Sequence, residues 1–160
     1  MSDLELDPTS KVLFERLQEI LRETFEGGLP GEGTEYLDHA SGIRNTLRSI
    51  TPAQASKRRN GRPSIAAHAR HMAFHLRTVS EWIQGDHRKR DWVGSFEPQT
   101  VYDSDWKRIQ SDLEEARELF LETMKSLTPE SFAKEGAGYG AIAHLAYHLG
   151  AIRQLLHDVQ

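Results

Sequence analysis

Apolar side chains recur every three or four positions in four long segments of this chain, and this period narrows the folds it can adopt. The segments are residues 7–26, 64–84, 103–126 and 141–159. Such spacing places side chains on one face of an α-helix, whereas a strand would alternate at every second position. No stretch alternates convincingly. The sequence therefore predicts an all-α fold in which four amphipathic helices pack as a four-helix bundle.

Residues at the segment ends indicate where the helices begin and what lies between them. Asp7 is a suitable N-cap, and Pro8 suits the first helical position of segment one. A short extra helix at about residues 40–50 is predicted between the first two long helices, with one more turn at residues 51–56. The glycine-rich run at residues 136–140 is predicted to be a loop before the last helix.

A long connection without helical period spans residues 86–100. Connections of this length are uncommon inside a compact domain and usually carry a function. With 160 residues, the chain is expected to form a single domain over residues 1–160. The connection is therefore expected to lie within that domain, between helices two and three.

Composition excludes several classes of partner and site. The net charge is −4, so neither nucleic acid nor an anionic membrane is an expected partner. The basic run at residues 57–62 contains no aromatic residue for base stacking and is predicted to be a solvated loop. No signal peptide and no apolar run of the ~20 residues that cross a bilayer is seen, so a cytoplasmic protein is expected. The chain has no cysteine, so a metal site must use His, Asp or Glu.

Histidines are concentrated on two of the predicted helices. At ~100° per residue, the three on segment two fall within roughly 60° of each other beside its apolar stripe. The two on segment four lie inside its stripe. The other three, predicted to be surface or loop residues, are His39, His87 and His157. The five inward-facing residues are His68, His71, His75, His144 and His148.

Several buried imidazoles need partners, because burial of an unpaired polar ring is costly. They are either hydrogen-bonded core groups or ligands of a divalent ion. The pair at i and i+4 on segment four offers two ligands, and a facing helix can supply the third. Neither the HExxH motif of zinc proteases nor the Glu-x-x-His motif of di-iron bundles is present. A mononuclear site with three histidines fits this pattern best.

Several of these motifs together resemble the DinB-like superfamily of metal-dependent four-helix-bundle proteins. The resemblance covers nearly the whole chain. It rests on SIAAHARH at residues 64–71, WVGSF at residues 92–96, Asp105-Trp106, and HLAYHLG at residues 144–150. Ala151 stands where the family commonly has glutamine. Gly150 is expected to be a close-packing position just past the site.

The resemblance implies a long crossover between helices two and three, and a zinc, nickel or iron-like divalent ion held by three histidines. By position in the motif, His71 is the ligand from helix two, and His144 and His148 are the ligands from helix four. His68 is the second choice for the ligand of helix two. His75 is expected to line the pocket.

A metalloenzyme is the function that the resemblance implies, with hydrolase or thiol-dependent S-transferase chemistry on a small molecule. Because the chain lacks cysteine, a low-molecular-weight thiol would have to be a cosubstrate. Tyr147 either contacts the site or packs beside it, and Gln154 and Asp38 are candidate partners for imidazole N–H groups. A homodimer is expected. The alternative is a non-catalytic metal- or ligand-binding protein of the stress response.

Overall fold

A computed structural model describes residues 8–31, 33–127 and 137–159, and its secondary structure is helical, as predicted. Within those residues there is no strand, only an isolated parallel bridge between Gly28 and His39. The helices are α1 (Pro8–Glu26), α2 (Ile43–Arg48), α3 (Pro52–Ser56), α4 (Ile65–Ile83), α5 (Asp103–Lys125) and α6 (Ala137–Val159), with a 3₁₀ turn at Gly94–Phe96.

Helix α4 lies at the centre of the packing, against both α5 and α6, while α1 packs against α6 and α2. The core comes from the apolar stripe of each long helix, which becomes inaccessible to water and so favours folding. Side chains with no exposed surface include Leu17, Leu21, Phe25, Met72, Leu76, Phe120, Leu145 and Ile152. No described helix is long and apolar enough to cross a bilayer.

The short helix α2 begins later than the sequence predicts. Ala40 has a left-handed φ of 58°, and Gly42 is the extended N-cap of α2. A Cβ atom at Gly42 would lie 2.4 Å from the backbone nitrogen of Gly27, so two backbone segments cross closely there. The helix therefore begins after this crossing, at Ile43. Asp7, predicted to cap α1, lies outside the described residues.

The last helix spans Ala137–Val159 and so includes residues 137–140 of the glycine-rich run, which were predicted to be a loop. At Gly138, a Cβ atom would lie 2.7 Å from Met124 Cε and 2.8 Å from Leu17 Cδ1. The lack of a side chain at Gly138 lets α6 pack closely against Met124 and Leu17. The expectation for Gly150 was wrong, because it is exposed and a Cβ atom there would meet nothing within 4 Å.

A buried carboxylate holds the loop after α1. Glu23, 1% exposed, accepts the backbone N–H groups of Glu35, Tyr36 and Leu37 at 2.7, 2.6 and 2.6 Å. Burial raises the pKa of Glu23, but these three donors and the nearby Arg22 lower it more, so its net shift is downward. The ionised side chain thus replaces the hydrogen bonds that this loop would otherwise make to water.

The segment between α4 and α5 is held against α4 at both of its ends. At the start, Arg90 donates to the carboxylate of Glu81 at 2.8 Å. At the other end, the Ser64 hydroxyl donates to the carbonyl of Gln99 at 2.7 Å while it caps the N-terminus of α4. These contacts place the 3₁₀ turn beside the middle of α4.

Candidate metal centre

Three of the predicted histidines converge between α4 and α6. One ring nitrogen each from His71, His144 and His148 lies within 4.8 Å of the other two. The Nε2 atoms of His71 and His144 are 3.0 Å apart. His71 and His148 are 5% and 3% exposed, whereas His144 is only partly buried. The group is therefore buried on one side and accessible from the side of His144.

Helix geometry explains how the group forms. His144 and His148 are four residues apart on α6, so their side chains lie on one face, one turn apart. His71 is on the buried face of α4, which packs against α6. Two helices thus supply three imidazoles to one place.

The 3₁₀ turn and the residues just before it also contact His71. His71 Nδ1 lies 2.6 Å from the Ser95 hydroxyl oxygen, and Ser95 is 4% exposed. The Phe96 ring stacks on His71 at a centroid distance of 4.0 Å and an interplanar angle of 12°. Trp92 meets the same ring edge-on at 6.2 Å. These contacts determine the orientation of the His71 ring.

The remaining predicted residues lie around the group of three rather than in it. His68 Nδ1 is 2.8 Å from His148 Nδ1, and the His75 ring stacks on His144 at 3.8 Å. Tyr147 meets the edge of His148 at 5.2 Å and is 71% exposed. The three histidines predicted to lie at the surface are exposed: His39, His87 and His157.

Burial lowers the pKa of each of the five clustered imidazoles, because the charged form loses its hydration. Burial, with a smaller contribution from His144, lowers the pKa of His71 to about 4 and those of His75 and His148 to about 3. Burial also lowers the pKa of His68 and His144. Neutral imidazoles are therefore expected at pH 7, the form that can donate a lone pair to a metal ion.

Sequence reasoning missed Ser95, which contacts His71 in place of the candidates Gln154 and Asp38. Gln154 is exposed. Asp38 lies in the loop before α2, where its carbonyl accepts the backbone N–H groups of Gly28 and Ser41. The signal for Ser95 was the WVGSF motif inside a connection too long for a simple turn.

Comparison with known proteins identifies the family of the chain. A family model described as the DinB superfamily matches residues 35–152, which include α4, the connection and all three converging histidines. The chain belongs to the DinB superfamily. No curated protein and no solved structure gives a significant match. For this DinB superfamily member, the first helix, α1, lies outside the matched region.

The donor set of this DinB superfamily member fits a divalent ion. It consists of neutral nitrogen donors without a carboxylate, which suits zinc, nickel or iron better than calcium or magnesium. His71 Nε2 points to the group while Nδ1 has its own partner, the usual arrangement of a metal-binding histidine. The residues that would hold the ion are His71, His144 and His148.

Proposed function

We propose that this DinB superfamily member is an enzyme that depends on one divalent metal ion, held by His71, His144 and His148. The observation that carries the proposal is the convergence of three ring nitrogens within 4.8 Å, from two helices, in a buried setting. Zinc, nickel and iron all suit an imidazole set. In the same proposal, the four long helices form a bundle in which the connection from α4 to α5 is the crossover.

Three protein ligands leave coordination positions open, as in catalytic rather than structural sites. A bound ion would supply Lewis acidity and lower the pKa of a water or thiol in an open position. The chain itself excludes water on the side of His71 and His148 and leaves His144 partly accessible. Trp92 lies beside His75 and Tyr147 beside His148, and both could offer aromatic surface to an apolar part of a substrate.

The reaction that we propose is hydrolysis or thiol-dependent transfer on a small molecule. The chain lacks cysteine, so a thiol in the reaction must be a low-molecular-weight cosubstrate. We further propose that the protein works as a homodimer, without a nucleic acid or membrane partner. The net charge of −4 is in keeping with the absence of both polyanionic partners.

Metal analysis of tag-free protein tests the site. We expect about one zinc, nickel or iron ion per chain in the wild type, and a large loss in His144→Ala. His157→Ala is the matched control, because it removes an exposed histidine from the same helix. Metal content far below one per chain in the wild type, or equal content in all three proteins, would refute the proposal.

Catalysis needs a separate test. The metal-loaded protein should be assayed with small thiols plus electrophiles, and with ester and amide substrates, against His144→Ala. We expect a reaction in the wild type that the variant loses. A metal-loaded wild type that is inactive on all of these substrates would instead favour the non-catalytic metal-binding alternative.

A further inference from the structure

The two ring nitrogens of His71 face different groups. Nε2 faces His144 in the candidate metal site, at 3.0 Å from its Nε2 atom, and Nδ1 faces the Ser95 hydroxyl at 2.6 Å. A neutral imidazole carries its single proton on one nitrogen or the other. Only the form with the proton on Nδ1 leaves the Nε2 lone pair free for an ion. Whether Nε2 of His71 can bind an ion therefore depends on whether the Ser95 hydroxyl donates a hydrogen bond to Nδ1 or accepts one from it.

The hydrogen bonds of Ser95 determine that direction. Its hydroxyl oxygen lies 2.5 Å from the carbonyl oxygen of Trp92, which can only accept a hydrogen bond. The single hydroxyl hydrogen of Ser95 therefore points to Trp92. At 2.6 Å from His71 Nδ1, the Ser95 oxygen is left to accept, so Nδ1 must donate.

We propose that Ser95 is a positioning residue that fixes His71 in the tautomer with the proton on Nδ1 and so keeps Nε2 ready for the metal ion. The inference deepens the proposed function and rests on it for the identity of the site. The tautomer itself is a property of the metal-free protein. It can therefore be measured whether or not a metal binds.

The turn that carries Ser95 is built to hold its hydroxyl in place. The Asp91 carboxylate accepts the backbone N–H of Gly94 at 2.9 Å, and the Asp91 carbonyl accepts that of Ser95 at 3.2 Å. A Cβ atom on Gly94 would lie 2.2 Å from the Asp91 carboxylate, so a side chain there would push the carboxylate out of its hydrogen bond. Because Ser95 is 4% exposed, solvent has little access to replace its hydroxyl.

The contact between His71 and Ser95 differs from the contact that His148 makes, because only Ser95 has a fixed hydrogen-bonding role. The neighbour of His148 is His68, whose imidazole can either donate or accept. That contact allows the proton on either ring and selects no single tautomer. The contact between His71 and Ser95 selects one, because the Trp92 carbonyl fixes the role of the hydroxyl.

The test combines nitrogen NMR with zinc affinity. In metal-free, ¹⁵N-labelled wild type at pH 7.5, long-range ¹H–¹⁵N spectra should show His71 with a protonated Nδ1 and an unprotonated Nε2. In Ser95→Ala, the His71 signals should move toward the form protonated on Nε2. The zinc Kd, from competition with a chelating dye, should rise about 10–100-fold. His71→Gln assigns the resonances.

Ser80→Ala is the matched control, because Ser80 is also buried and its hydroxyl donates to a backbone carbonyl on α4, that of Leu76. It should change neither the His71 tautomer nor the zinc Kd. A His71 tautomer that is the same in wild type and Ser95→Ala, or an unchanged zinc Kd in Ser95→Ala, would overturn the proposal. A wild type that binds none of zinc, nickel and iron would refute the proposed function, while the NMR comparison would still decide the role of Ser95.

Discussion

Replacement of Glu23 with glutamine removes the charge that holds residues 35–37 against α1. The carboxylate accepts three backbone N–H groups at 2.6–2.7 Å, and the glutamine amide would turn its NH₂ group toward one of those donors. One hydrogen bond to a charged group, about 1.5–3 kcal/mol, is lost, and the other two weaken to neutral strength. The lower cost of burying a neutral group offsets part of this loss. We expect the free energy of unfolding to fall by about 2–4 kcal/mol.

Urea unfolding at pH 7 measures this loss, and thermal melting should show a lower Tm, by roughly 2–4 °C per kcal/mol in a domain of this size. Glu19→Gln is the control, because Glu19 is half exposed and pairs with Arg16 at the surface. It should cost no more than about 0.5 kcal/mol.

The pH dependence gives a second check. The folded-state pKa of Glu23 lies below its ordinary value of 4.5, so its contribution is complete above pH 4.5 and is lost as pH falls through the folded pKa. The difference between wild type and Glu23→Gln should therefore shrink in acid. A variant within 0.5 kcal/mol of wild type at pH 7, about the range of an exposed pair, would refute this reasoning. So would a difference that does not change with pH.

Three further predictions concern the site and α6. Zinc at about 100 times its Kd should stabilise the wild type by about 2.7 kcal/mol in urea unfolding, and equally His157→Ala, but not His148→Ala. The metal-free protein should lose stability as pH falls below 6.5. The pKa of His71 is about 4 in the folded protein and 6.5 in the unfolded chain, so between these values the unfolded chain binds the proton more tightly. Urea unfolding at pH 7.5 and 5.5 measures this, and equal stabilities would contradict it. Gly138→Ala should lower the free energy of unfolding by about 1–3 kcal/mol through overpacking, whereas Gly150→Ala should raise it by about 0.5–1 kcal/mol. Thermal melts that rank the two variants in the opposite order would contradict the packing of α6.

Most of the helical structure could be predicted from the sequence, because burial of one face leaves a period of three to four residues. Ser64 is the N-cap of α4, and Gly85 follows its C-cap. The predicted segment, residues 64–84, therefore differs from α4 by one residue at each end. The start of α6 could not be predicted in this way. Gly138 packs by having no side chain, so a close contact leaves no apolar signal.

The candidate site was predictable where a single helix determines it. His144 and His148 meet because four residues make about one turn. Which of His71 and His68 joins the group of three depends on how α4 is rotated against α6. Both side chains are buried, so the apolar period of the helix cannot show which one it is. Ser95 was beyond reach for another reason. It lies 24 residues from His71, on a turn whose path is set by side-chain contacts rather than by a repeating pattern.

Three residues of the run 92–96 contact the candidate metal ligand His71: Trp92, Ser95 and Phe96. In protein engineering, exchange of the whole run would therefore change the support of His71 and, with it, the metal affinity. Val93 is not part of this support, because its side chain is 86% exposed. A library that varies Val93 while retaining Trp92, Ser95 and Phe96 would therefore change the surface of this run and keep the metal affinity.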